Sequence, residues 1–273
     1  MYAIHMPLII LAQTIFNSDR TAILLISLVA ILIVLYTTYF QKEKKEFKIR
    51  KINGLKAVED AIGRATEMAR PLLYTPGWGG DIQRPTTIAS MNILSFVAEK
   101  TSQYDCDLVF PTHDPVIMSV AQEVIKESYS RAGYPDRYKE DNISYVSSSQ
   151  FGYAAAVDGI ISRTKPASIF LLGTFEAESL ILAETGNSIN AIQIAGTDST
   201  IQLSFFIVAC DYTLIGEELF AASGYLSGNK SILASVQAQD IMKVLIAIFV
   251  LGATIWATVE SLTGNVLSNW WKF

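Results

Sequence analysis

Residues with chemical potential recur along the chain, each group directly after a short apolar segment. Glycines and polar residues follow the first such segment, whereas hydroxyl-bearing and acidic residues follow the later ones. If the apolar segments are parallel strands, these residues meet at the carboxyl edge of one sheet, where such sheets bind ligands. The candidate ligand-binding residues are Thr75, Gly77, Gly79, Gly80, Asp81, Thr112, His113, Asp114, Gly173, Glu176 and Asp198.

These residues have two interpretations. Gly77, Gly79 and Gly80 could form a nest of backbone amides for an anion. The more frequent use of Gly, Ser, Thr and Asp after strands is in turns and helix caps. His113 is the only histidine between positions 52 and 240 and could act as a general base with Asp114 or a distant carboxylate. One histidine does not define a catalytic site, so the sequence assigns no catalytic residue.

Motifs for common cofactors and metals are missing from the sequence. The run PGWGGD at 76–81 lacks the G-x-G-x-x-G spacing, and neither a Walker lysine nor a G-x-S-x-G elbow occurs. Cys106 and Cys210 have no histidine at ligand spacing. We therefore predict no cofactor and no metal. A divalent cation could use the carboxylates of Glu176, Glu178, Glu184, Glu217 and Glu218, but solvated helix faces or intersubunit salt bridges explain them better.

Helical and strand-like patterns alternate between positions 54 and 226. Helices are predicted at 54–70, 86–101, 115–131, 151–163, 177–185 and 214–226, and strands at 71–75, 107–110, 143–146, 168–172, 191–194 and 205–209. This alternation predicts an α/β fold with a Rossmann-like, doubly wound, mainly parallel sheet of about six strands. The short polar connection at 196–200 predicts an antiparallel hairpin at one edge. Residues 223–230 are predicted to form a turn.

Two apolar stretches flank this region. Residues 21–40 are uncharged and long enough to span a bilayer as a helix, and residues 241–260 predict a second span, for which a buried core helix is the alternative. Six Lys and Arg residues at 42–51 place the end of the first span in the cytoplasm. The sequence thus predicts a two-pass protein of the inner (plasma) membrane with both termini external and the central domain cytoplasmic.

These features divide the chain into six predicted segments. They are an external segment 1–20, a span 21–40, a basic linker 41–53, an α/β domain 54–240, a span 241–260 and an external tail 261–273. The apolar stretch 7–16 is too short to span. Between positions 52 and 240 there are 12 Lys and Arg against 22 Asp and Glu. Such an acidic domain would repel phosphates, which excludes nucleic acid as a partner.

Three stretches carry a resemblance to a known family: 65–81 (ATEMARPLLYTPGWGGD), 179–197 (SLILAETGNSINAIQIAGT) and 209–228 (ACDYTLIGEELFAASGYLSG). They resemble an uncharacterised prokaryotic family of membrane-anchored proteins, defined only as a domain of unknown function. The resemblance covers most of 54–240 and the flanking apolar helices. The family has no assigned activity, so the resemblance implies no catalytic residue.

The leading functional hypothesis is a membrane-anchored, non-enzymatic component that acts as an oligomeric scaffold or docks a partner. Segments 151–161 and 214–226 are rich in Ala, Gly and aromatic residues, as close interfaces are. The expected partners are the lipid bilayer, further copies of the chain and other membrane subunits. The alternative is a membrane-tethered sensor or enzyme that binds a small ligand in a cleft at the carboxyl ends of the strands.

Overall fold

The computed structural model describes residues 21–40 and 53–263. The predictions for 1–20, for the basic linker at 41–52 and for 264–273 lie outside the described residues. The chain divides into two compact units. One unit, Lys48–Leu233, contains the sheet, and the other contains the first helix and most of the last one.

The sheet has six strands, all parallel, in the order β3-β2-β1-β4-β5-β6. The strands are β1 (Leu72–Thr75), β2 (Leu108–Thr112), β3 (Ile143–Tyr145), β4 (Ser168–Leu172), β5 (Ile192–Thr197) and β6 (Tyr212–Ile215). The strand order reverses between β1 and β4, which are neighbours in the middle of the sheet. The predicted α/β fold with a six-stranded parallel sheet is confirmed.

Nine α-helices are described. They are α1 (Thr21–Phe40), α2 (Asn53–Glu67), α3 (Pro85–Gln103), α4 (Pro115–Arg131), α5 (Gln150–Thr164), α6 (Glu178–Ser188), α7 (Thr200–Ala209), α8 (Glu217–Ser227) and α9 (Lys230–Thr263). Two short 3₁₀ helices, Pro135–Arg137 and Glu140–Asn142, precede β3. Each helix between consecutive strands runs back along the sheet, so α3 to α7 all begin at its carboxyl edge.

Helices cover both faces of the sheet. Because side chains alternate along a strand, Phe170 and Leu172 of β4 join a core with α2, α3, α4 and α8. Ile169 and Leu171 join the opposite core with α5, α6 and α7. All five residues of β4 are buried, as expected for an uninterrupted apolar run with helices on either side. The central strands are therefore enclosed, and their carboxyl ends open only into loops.

The last part of the sheet corrects two predictions. Residues 205–209, predicted as the sixth strand, lie in α7, because a short run such as FFIVA fits a helix as well as a strand. The sixth strand is β6, which runs parallel to β5, so the predicted antiparallel hairpin is wrong. A parallel crossover needs a connecting helix, and α7 supplies it. Asp211 therefore precedes the last strand instead of following it.

Among the described residues, one helix is long and apolar enough to cross a membrane, Lys230–Val259 within α9, whose most apolar 18 residues have a mean hydropathy of 2.1. Of the two predicted membrane-spanning helices, only the second meets this criterion among the described residues. The first predicted span does form a helix, α1, but its described apolar segment is the shorter Ile26–Tyr36. The predicted turn at 223–230 shortens to two residues after α8, where Gly228 adopts a left-handed φ of +66°.

Candidate functional site

All eleven candidate residues lie at or just beyond the carboxyl ends of strands. Thr75 and Thr112 end β1 and β2 and are buried. The remaining residues are in loops, and those after β1 and β4 come together. We call residues 76–84 the β1 loop and residues 173–177 the β4 loop. Asp198 lies exposed after β5, in a separate loop.

The β1 and β4 loops are hydrogen-bonded to each other. The Thr174 N–H donates to the Pro76 carbonyl oxygen at 3.0 Å, and the Gly79 N–H donates to the Thr174 carbonyl oxygen at 3.0 Å. These bonds continue the pairing of β1 with β4 beyond the ends of both strands. In doubly wound sheets the loops at this point diverge and leave a crevice for a ligand. In this protein they are joined.

Two glycines make this close approach possible. A Cβ atom on Gly77 would lie 2.2 Å from the Thr174 carbonyl oxygen, and one on Gly173 would lie 2.2 Å from that of Pro76. Both glycines also have positive φ angles, +82° and +150°. Even a methyl group therefore does not fit between the two backbones at these two positions. The glycines serve the contact between the loops.

The buried carboxylate of Glu178 completes the closure. Glu178 begins α6 and is only 1% exposed. Its Oε1 accepts the Trp78 N–H at 3.1 Å and the Glu176 N–H at 3.0 Å, and its Oε2 accepts from Gln150 Nε2 at 3.0 Å. The helix N-terminus and these donors stabilise a buried negative charge. The anion that the backbone amides hold is thus a side chain of the protein itself.

Sequence reasoning missed this role of Glu178. A solvated helix face, one of the two expected uses of these glutamates beside an intersubunit salt bridge, is wrong for Glu178, whereas Glu176 is exposed. The two glutamates lie two residues apart, and their local sequence gives no reason to distinguish them. Only the position of Glu178 in the first turn of a helix, where a carboxylate is favoured, was a usable signal.

His113 contributes a neutral, half-buried imidazole. Its Nδ1 lies 3.2 Å from the Gly77 carbonyl oxygen, and its ring packs against Trp78 and the edge of Tyr153. Burial lowers the pKa of His113 more than Asp114, the Gly77 carbonyl and Glu178 raise it. A carbonyl oxygen only accepts, so Nδ1 carries the proton. The described hydrogen bond of this histidine therefore fixes a loop and does not activate a nucleophile.

The hydroxyl groups beneath His113 form a neutral network. Thr75 Oγ1 donates to the Pro111 carbonyl oxygen at 3.1 Å and accepts from the Tyr153 hydroxyl. Complete burial raises the pKa of Tyr153 well above its usual value. The phenol therefore stays protonated and acts as a hydrogen-bond donor between β1 and α5.

The other acidic candidates have turn or cap roles. Asp114 caps α4, with Oδ1 accepting the Val116 N–H at 2.7 Å, and Asp81 accepts the Gln83 N–H at 3.1 Å. Trp78 Nε1 donates to the Ser148 carbonyl oxygen at 2.9 Å and so ties the β1 loop to the loop after β3. Within the described ranges, no three His, Cys, Asp or Glu residues are grouped to hold a metal ion. The arrangement joins loops and offers no complete catalytic set.

Comparison with known proteins places the chain in a family. Residues 11–267 match a family model described as a domain of unknown function, DUF6754. No curated protein and no solved structure matches the chain significantly. The resemblance to a family of unknown function is thereby confirmed, whereas the match says nothing about membrane anchoring or prokaryotic origin. Because the match extends over nearly the whole sequence, the chain belongs to the DUF6754 family.

Proposed function

We propose that this protein is a membrane-anchored, non-enzymatic scaffold whose Rossmann-like domain lies in the cytoplasm and associates with further copies or other membrane subunits. The observation that carries the proposal is the closed crevice at the reversal of strand order. Sheets of this kind bind nucleotides there through free backbone amides and a helix N-terminus. In this chain Glu178 accepts two backbone amides near this point and lies at the N-terminus of α6, which supports a role for the surface of the domain.

Anchoring to a bilayer is supported by α9 and by the charge distribution. The segment Lys230–Val259 has the length and hydropathy of a membrane span, and its most apolar window has no buried residue. The basic run at 42–51 favours a cytoplasmic position for the residues that follow it, which include the acidic α/β domain. That domain has no basic footprint for nucleic acid, so the proposed partners are lipid and protein.

The proposal is tested by native mass spectrometry of the full chain extracted in mild detergent. We expect a single defined multimer, or a stoichiometric complex with another membrane protein, without mass beyond protein and lipid. A chain carrying a stoichiometric small molecule would contradict the proposal and favour a ligand sensor or an enzyme. A strictly monomeric chain without a partner would also contradict it. Because Gly77→Ala disrupts the closed loops, that variant shows whether any bound mass depends on them.

A further inference from the structure

Helix α7 carries apolar residues on its exposed side as well as its buried side, beside the exposed Thr200 and Ser204. It contains no charged residue, and Phe206 is its one fully buried side chain. Ile201 is 69% exposed and Val208 is 88% exposed, and Phe205 and Ile207 are exposed as well. A surface helix ordinarily turns polar residues outward, and a helix that is apolar all round is normally covered.

Inward contacts hold α7 in place. The Phe206 ring packs edge-on against Phe175, with 5.1 Å between ring centroids. Ser179 Oγ of α6 donates to Gln202 Oε1 at 2.6 Å. The outward residues Ile201, Phe205 and Val208 have the spacing of one helical stripe. The exposed stripe is thus presented by a fixed helix.

The neighbouring strand limits how a partner can bind. β6 lies at the edge of the sheet and exposes Tyr212 and Ile215. The Ile215 N–H donates to Glu218 Oε2 at 3.2 Å, so a side chain already occupies this backbone donor. Occupied edge groups hinder the addition of another strand. This hydrogen bond hinders strand addition at that end of β6, whereas side-chain packing on α7 meets no such obstacle.

Charge distinguishes a lipid partner from a protein partner. At ten residues, α7 is about 15 Å long and too short to span a bilayer. Helices that lie in the interface carry Lys and Arg on their polar side. The exposed charged residues that flank α7, Asp198 and Asp211, are acidic and would be repelled by anionic lipids. These features favour a protein surface.

We propose that the α7 stripe packs against the α7 stripe of a second copy about a two-fold axis. An uncharged apolar stripe is complementary to itself, as a two-fold interface requires. Together with the exposed Ile207, Tyr212 and Ile215 it offers six apolar or aromatic side chains, which make a modest surface beside the about 800 Å² per partner of a standard interface. The inference rests on the proposed membrane-anchored scaffold, because tethering raises the effective concentration of the partner and lets a modest interface suffice.

The test compares charge substitutions in the full detergent-extracted chain. Val208→Asp places two carboxylates across the axis and should weaken association by about tenfold or more, which native mass spectrometry detects as smaller assemblies. Ile88→Asp is the matched control, since Ile88 is 48% exposed on α3 and lies outside the stripe and outside segments 151–161 and 214–226. Both variants should keep the melting temperature of the monomer. If the wild-type chain is multimeric and Val208→Asp leaves its mass unchanged, the inference fails while the scaffold proposal stands.

A photocrosslinker identifies the occupant independently of folding effects. p-Benzoylphenylalanine in place of Phe205 should give a covalent dimer of the chain in membranes. A lipid adduct or a crosslink only to a different protein would overturn the second-copy proposal. A wild-type chain that is monomeric with no partner in any detergent would instead contradict the scaffold itself.

Discussion

Glu178 and Glu176 lie two residues apart, yet only Glu178 is buried and bonded to two backbone amides. We expect Glu178→Ala to lower the free energy of unfolding by about 3 kcal/mol, because two part-buried backbone N–H groups and the Gln150 amide lose their acceptor. Glu176→Ala is the control and should change it by less than about 0.5 kcal/mol. Thermal unfolding of the detergent-extracted chain measures both. Added formate should restore part of the loss in Glu178→Ala; equal effects of the two substitutions would refute the assigned role.

Alanine substitutions at Gly77 and Gly133 distinguish the cost of a clash between the loops from the cost of backbone strain alone. Both have positive φ angles, +82° and +87°, but a Cβ on Gly133 would meet nothing within 4 Å. Gly133→Ala should cost about 1 kcal/mol for the left-handed conformation alone. Gly77→Ala adds a clash with the Thr174 carbonyl and should cost about 3 kcal/mol or more in total. Similar melting temperatures for the two variants would show that the loops are not held as closely as described.

His113 makes stability depend on pH. Its pKa is lowered in the folded chain by burial, so the unfolded chain binds the proton more readily. The resulting stabilisation is complete above the unfolded pKa of about 6.5 and is lost as pH falls through the lower folded value. Melting temperature should therefore drop as the pH falls below about 6.5. In His113→Asn, whose amide can still donate to the Gly77 carbonyl, the drop should be smaller; an unchanged pH profile would contradict the lowered pKa.

At the scale of elements, α7 is held by its inner face alone. Phe206→Ala should lower the free energy of unfolding by about 3–4 kcal/mol, because the cavity against Phe175 is only partly refilled. Val208→Ala, two residues further along, should change the stability of the monomer by less than about 0.5 kcal/mol. Chemical denaturation in detergent compares them. A large loss for Val208→Ala in a monomeric sample would mean that its side chain is covered within the chain.

The elements that sequence predicted best carry explicit boundary signals. α4 occupies the predicted residues 115–131, since Asp114 caps it, Pro115 suits its first turn and Gly133 follows it. α7 lacks a side-chain cap and has an apolar run that suits either element, so its type could not be read locally. The candidate site was predictable to a similar extent. The ends of the predicted strands located its loops, but the burial of Glu178 depends on contacts between residues 100 positions apart, which local sequence does not reveal.

At the scale of the whole molecule, the membrane topology remains a prediction. Val250 lies in the middle of the predicted second span, and arginine there costs insertion about 3 kcal/mol. We expect Val250→Arg to prevent an impermeant reagent from labelling a C-terminal tag on intact cells, whereas the wild-type tag is labelled. Gln239→Arg, exposed and before the span, should leave labelling unchanged. A wild-type tag labelled only after cells are opened would contradict external termini.

The bonds between the β1 and β4 loops also determine how the sheet bears load. In sheets with an open crevice at the reversal of strand order, the loops of the two halves can move apart. Here the hydrogen bonds of Thr174 and Glu178 join the two halves at the reversal of strand order. These bonds should therefore resist separation of the half of the sheet that contains β3 from the half that contains β6.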